Sequence, residues 1–230
     1  MSYSLLTLAQ AAQLLKMTQG ELRSLAVQGE LPCEQRGEQM MFRQEDLDLW
    51  TSRRIIEQPQ NIDNAPLPPQ KQRRQFSKLS ELCPIECISA ALEGTTRASI
   101  IRELTNLADN SGFLYDPNDL RDAITKREEQ GSTNVGNGIA IPHPLIREET
   151  VFSQSFVCIA KLAKPSFFNS AFDGLPTEIL ILACSADSEE HLHILRQISL
   201  LCRNSTFIES VKNAHTAAEI HDALLQAETN

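Results

Sequence analysis

The sequence predicts two units: a small N-terminal module of short helices and a hairpin, and a larger α/β unit whose central sheet is flanked by helices. Three observations carry this reading. Beyond residue 80, apolar runs of strand length (Phe156 to Ala160 and Ile179 to Cys184) alternate with stretches of helical periodicity. The N-terminal residues hold closely spaced helix-start signals followed by a turn-bounded extended stretch. Between the two, residues 58–75 read QPQNIDNAPLPPQKQRRQ, with four prolines and few large apolar side chains. Such a segment cannot bury enough surface to offset its ordering entropy. The expected division is 1–57, a linker over 58–78, and 79–230.

Composition narrows the function classes. Hydrophobic residues make up 41% of the 230, enough for ordinary cores. A net charge of −9 argues against a protein that coats nucleic acid generally, so any DNA contact must be local. No signal peptide or membrane-length apolar run is present. Six cysteines stand singly apart from Cys83 and Cys87, without a second clustered pair or histidines at ligand spacing. Reduced buried thiols, a cytoplasmic location, and no metal or organic cofactor are expected.

In the N-terminal module, Thr7 can cap a helix through Leu8, Ala11, Ala12 and Leu15. Thr18 can cap a second, with Glu21 at the reciprocal position, ending near Gly29. A hairpin turning at Arg36-Gly37 and returning through Met40 to Phe42 forms a wing, and Gln44 to Trp50 reads as a further helix. Ala11-Ala12, Gly29-Glu30-Leu31-Pro32 and Phe42-Arg43 through Trp50 make residues 5–52 resemble the excisionase and MerR-like helix-turn-helix family. The resemblance implies a second helix in the major groove and a wing on the backbone. Gln19, Arg23 and Gln28 are the candidate base readers, and Arg36 and Arg43 the candidate phosphate contacts. Residues 1–58 nevertheless hold six Lys/Arg against eight Asp/Glu, so a protein-binding or dimerising module is the alternative.

In the larger unit, helices are expected near 97–108, 117–129, 188–203 and 216–225, with start signals at Asp116-Pro117, Asp187 with Glu190, and Thr216 with Glu219. The informative stretch is REEQGSTNVGNGIAIPH, Arg127 to His143. Gly131, Gly136 and Gly138 allow close backbone approach and offer amide donors, but no GK[ST] follows, so a nucleotide-binding loop is unsupported. Pro142 stiffens the chain before His143, as suits a ring that must meet a phosphoryl group in line.

Leu120, Ile124 and Arg127 follow the i, i+4, i+7 pattern, which puts Arg127 on the core-facing stripe and turns Lys126, Glu128 and Glu129 elsewhere. A guanidinium there needs an anion, either a phosphate or a carboxylate. His191 precedes Leu195 and Ile198 at the same spacing, which selects it over His193.

Residues 80–228 resemble the IIA domain of the phosphoenolpyruvate-dependent phosphotransferase system, in the fructose/mannitol class and its nitrogen-regulatory relative. The carrying residues are Arg127-Glu128, Ser132-Thr133, Gly136, Gly138 through His143, Phe172-Asp173-Gly174 and His191-Leu192. Pro144 and Ser166-Phe167-Phe168 depart from the pattern. The resemblance implies a mixed sheet, a phosphoryl group carried by His143, flanking Arg127 and His191, and phosphate contacts from the loop holding Thr133 and Gly138. It also implies a histidine phosphocarrier protein as donor. His143 is expected at the rim of a pocket lined with cationic neighbours. The expected function is a regulatory phosphocarrier, a relay component more than a stand-alone enzyme, coupling phosphorylation to DNA binding. Passage of the phosphoryl group to a sugar-transport IIB partner, or signalling through a regulatory target protein, are the alternatives; the sequence leaves dimerisation open.

Overall fold

The computed structural model describes residues 5–54 except 16, 38, 44, 45, 48, 52 and 53, and residues 76–229 except 145–150, 170, 172 and 187. The chain divides into two compact units, residues 1–75 and 76–230. The Pro-rich stretch 58–75 lies outside the described residues, as do Gln44, Phe172 and Asp187.

The smaller unit contains β1 (Leu5–Thr7), α1 (Leu8–Leu15), α2 (Gln19–Val27), β2 (Glu34–Arg36) and β3 (Gln39–Arg43). The Thr7 hydroxyl accepts from the Gln10 amide at 3.3 Å. Thr18 and Glu21 form the reciprocal capping box that starts α2. Gly29 follows the helix with φ 77° and Gly37 turns the hairpin with φ 63°, backbone angles that a Cβ would strain. Helical backbone resumes at 46–47 and 49–51. Ala11, Ala12, Leu22, Leu31, Phe42 and Leu47 form one core. β1 was not expected; it pairs antiparallel with β3, so the wing is the larger part of a three-stranded sheet ordered β1-β3-β2. Three residues are too few to show alternation.

The larger unit contains α3 (Leu79–Leu82), β4 (Ile88–Leu92), α4 (Arg97–Asp109), α5 (Pro117–Glu129), β5 (Asn134–Gly136), β6 (Ile139–Ala140), β7 (Phe156–Ser166), β8 (Thr177–Cys184), α6 (Ser188–Leu201), α7 (Ser205–Asn213) and α8 (Ala217–Ala227). The sheet is ordered β4-β7-β8-β6-β5 and is mixed: β4 with β7 and β6 with β8 run parallel, the other pairs antiparallel. Phe156 through Ala160 are all buried, because both sheet faces are covered. Phe156, Cys158 and Ala160 share a core with Leu104, Leu120 and Ile124 from α4 and α5. β7 runs past the expected Ala160 to Ser166, with a shifted register where Lys164 and Pro165 interrupt the apolar pattern. β4, with its small residues, and α7 were also not expected.

The parallel β6–β8 pairing places the two candidate histidines, His143 and His191. It brings the chain leaving β6 beside the chain leaving β8, where the Ala183 amide donates to the Pro142 carbonyl at 3.1 Å. Ligand sites in α/β sheets form at such carboxyl ends.

Candidate phosphoryl-acceptor site

His143 follows β6, and His191 stands on α6, the helix that follows β8. Their ring centroids lie 5.3 Å apart. Arg127 enters from the last turn of α5, where Leu120 and Ile124 on the same stripe are fully buried. Its Nε donates to His143 Nε2 at 3.1 Å, and a terminal nitrogen donates to the Gly131 carbonyl at 2.9 Å. On the other side of the ring, His143 Nδ1 is 2.8 Å from the Ile141 carbonyl.

These two contacts assign the tautomer. A carbonyl can only accept, so Nδ1 carries the proton; a guanidinium can only donate, so Nε2 presents its lone pair. Burial first, then the charge of Arg127 and the neighbouring His191, hold the His143 pKa well below the usual histidine range. His191 is lowered to about 3 by burial and by Arg127. Its Nδ1 lies 3.3 Å from the Ser185 hydroxyl. Both imidazoles are therefore neutral at pH 7, beside a permanently charged guanidinium.

Two expectations need correction. His143 is 1% exposed, so its ring does not sit at a pocket rim. Residues 141–144 are all buried, with the Pro142 carbonyl bonded to the Ala183 amide of β8, and a neutral ring with partners on both nitrogens can be buried at little cost. The surroundings are also less cationic than expected, because His191 is held neutral.

The loop residues divide in the same way. Thr133 is fully buried and its hydroxyl donates to the Glu128 carboxylate, so that proton is committed within the protein and not offered to phosphate. Gly138 serves packing: its carbonyl accepts from Glu178 at 2.7 Å and Ile179 at 3.0 Å, and a Cβ there would stand 3.2 Å from the Pro176 carbonyl oxygen. Glu128, expected to turn off the core-facing stripe, is 2% exposed, because Thr133, from the loop after α5, and Asn169, from the loop between β7 and β8, both close over its carboxylate. Adjacent acidic residues at a helix end gave no sequence signal separating Glu128 from Glu129. Asp173 accepts from the Asn137 amide at 2.7 Å and the Leu175 amide at 3.1 Å, contacts that lower its pKa and fasten the turn before β6. His193, the histidine that periodicity set aside, stacks on Phe76 at 4.4 Å.

In the smaller unit, Gln19 and Arg23 lie on the exposed face of α2. Gln28 caps the helix end and donates to Ser24 at 2.9 Å. Arg43 is bound by Glu34 through Nε at 2.6 Å and a terminal nitrogen at 2.5 Å, with Arg36 3.6 Å from the same carboxylate. The two candidate phosphate contacts therefore share one internal anion.

Residues 81–227 match the family described as phosphoenolpyruvate-dependent sugar phosphotransferase system, EIIA 2. The chain belongs to this family. Residues 5–54 match a helix-turn-helix domain, so the EIIA 2 domain is joined to a second, smaller one. A fructose-specific EIIA component from Haloferax volcanii is 31% identical over 150 residues, covering 64% of this chain and 95% of the relative. A nitrogen regulatory protein from Pseudomonas aeruginosa is 28% identical over 137 residues, covering 59% and 86% respectively. The IIA-Ntr structure from Neisseria meningitidis superposes with a TM-score of 0.57 at 24% identity, covering 63% of this chain and 97% of that one. The IIA mannitol structure from Escherichia coli gives 0.54 at 18%, covering 61% and 97%. Both likenesses bear on the fold of the EIIA 2 domain. No described helix is long and apolar enough to cross a membrane.

Proposed function

We propose that His143 accepts a phosphoryl group at Nε2 from a phosphorylated histidine phosphocarrier protein, and that this cytoplasmic protein uses its phosphorylation state for regulation. One observation carries the reading: Nδ1 is spent on the Ile141 carbonyl while the Nε2 lone pair faces a guanidinium. In the transfer, that lone pair forms the new N–P bond as the donor's N–P bond breaks, and the electron pair of the broken bond returns to the donor imidazole. The proton stays on Nδ1, where the Ile141 carbonyl stabilises the positive character of the phosphorylated ring. Arg127 exchanges its nitrogen partner for the equatorial phosphoryl oxygens, whose geometry matches its fork. His191 contributes an N–H to the same oxygens, and no metal or organic cofactor is needed.

Fusion to a helix-turn-helix domain supports a regulatory output, with Gln19, Arg23 and Gln28 meeting bases and residues 58–78 linking the domains at 57 and 79. The pairing of Arg36 and Arg43 with Glu34 favours a second reading, in which the smaller domain meets a regulatory target protein. Likeness to a fructose-specific EIIA component favours a third, passage of the group to a IIB partner.

Incubation of the full chain with phosphoenolpyruvate and the general phosphotransferase proteins should add one phosphoryl group by intact mass. The His143→Ala variant should remain unmodified; modification of that variant would reject the assignment. A mobility shift with promoter fragments, with and without the phosphoryl donor, distinguishes DNA from protein as the partner of the smaller domain.

A further inference from the structure

Glu128 stands in the last turn of α5, where the helix carbonyls disfavour negative charge, and it is 2% exposed. Both circumstances work against a carboxylate, so fixed donors must hold it. Thr133 Oγ1 donates to its Oε1, and Asn169 Nδ2 donates to its Oε2 at 2.7 Å. The same Nδ2 lies 3.3 Å from the Glu128 carbonyl.

Thr133 is the next link. Its backbone carbonyl accepts from the Ile141 amide at 3.0 Å, and the Ile141 carbonyl accepts from His143 Nδ1 at 2.8 Å. Three contacts in series therefore run from the Glu128 carboxylate to the nitrogen opposite the one that Arg127 holds. We infer that Glu128 is a positioning residue for His143, acting through Thr133 and the Ile141 carbonyl. The end of α5 then grips both ring nitrogens: Arg127 holds Nε2 directly, and its neighbour Glu128 holds Nδ1 through the loop. The opposite tautomer would set an Nε2–H against the Arg127 Nε–H and a bare Nδ1 against a carbonyl, so loosening this chain exposes the reactive lone pair to the wrong partner.

This inference rests on His143 as the phosphoryl acceptor, and its test separates the two. Thr133→Val preserves shape and removes the hydroxyl, Thr133→Ser preserves the hydroxyl, and Asn169→Ala removes the second donor at a half-buried position. The full-length variants are compared by imidazole ¹⁵N spectra, which report the tautomer without any donor, and by transfer from the phosphorylated histidine phosphocarrier protein. Thr133→Val should lower kcat roughly tenfold to a hundredfold and mix the tautomers, with KM for the donor unchanged because residue 133 is buried. Thr133→Ser should restore kcat to within about twofold, and Asn169→Ala should shift both readouts in the same direction as Thr133→Val. A folded Thr133→Val protein with a pure Nδ1–H ring and wild-type kcat would overturn the inference. If Thr133→Val does not fold, an unchanged tautomer in Asn169→Ala overturns it instead. If the wild-type chain takes no phosphoryl group, the functional reading fails, and the ring spectra still decide whether Glu128 positions His143.

Discussion

Arg127 and His143 meet nitrogen to nitrogen, Nε donating to Nε2 at 3.1 Å, with both side chains 1% exposed. A neutral ring supplies one acceptor to this buried cation and the Gly131 carbonyl another. Both of these acceptors are neutral, so an incoming phosphoryl group can replace the ring nitrogen with a charged oxygen.

The first prediction concerns that guanidinium. Arg127→Ala leaves the buried His143 Nε2 without this donor, costing about 1–3 kcal/mol if that nitrogen stays unsatisfied. Phosphoryl transfer should fall by about two to three orders of magnitude, as when one preorganised donor is removed from a reacting centre. Lysine should rescue poorly, since a point charge cannot make both contacts. In NMR titrations the His143 pKa should rise towards 6.5, because the charge of Arg127 is one cause of its depression. An unmoved titration in a folded variant would refute this electrostatic coupling.

A second prediction comes from the two neutral imidazoles. An unfolded chain binds histidine protons near pH 6.5, whereas folded His191 does so near pH 3. Between those values the unfolded state holds more protons, so stability is complete above pH 6.5 and declines as pH falls through this window. His143, also lowered, adds to the same decline. His191→Asn should flatten the acid limb by up to one proton, about 1.4 kcal/mol per pH unit at its steepest. Urea melts between pH 7 and 4 measure the slope, and a variant that parallels wild type would contradict it.

The third prediction addresses the wing. Glu34 holds Arg43 and lies near Arg36, and these arginines in turn lower its pKa. If the wing touches a DNA backbone, Glu34→Gln should tighten duplex binding and steepen the log K against log salt plot by about one for each phosphate newly contacted. Unchanged affinity and slope would mean that neither arginine meets phosphate, and would favour a protein partner for this domain.

Much of the local structure was legible in the chain. Thr18 with Glu21, Asp116 before Pro117, and Thr216 with Glu219 start helices where their side chains predict, because a cap involves residues two or three apart. The spacing of Leu120, Ile124 and Arg127 placed the guanidinium on the packed stripe, and the spacing of His191, Leu195 and Ile198 separated His191 from His193. β1, β4 and the far end of β7 carry no comparable signal, because short, small or lysine-bearing strands acquire their pairing from distant partners. The burial of Glu128 was equally hidden, since one of the two partners that cover it, Asn169, comes from a loop 41 residues further along the chain.

By itself, the sequence determined the capped helices, the two apolar strands, the candidate triad and the family likeness, all of which depend on residue type at short separation. Tertiary structure alone decided that β6 lies parallel to β8, which brings His143 to His191 across 5.3 Å. It also decided which nitrogen of His143 bears the proton, that Thr133 serves Glu128, and that one carboxylate occupies both wing arginines. The physical reason is common to all of these. A hydrogen bond or charge pair exists only after folding has set one donor and one acceptor within about 3 Å of each other, and residue types alone do not say which of the possible partners will meet.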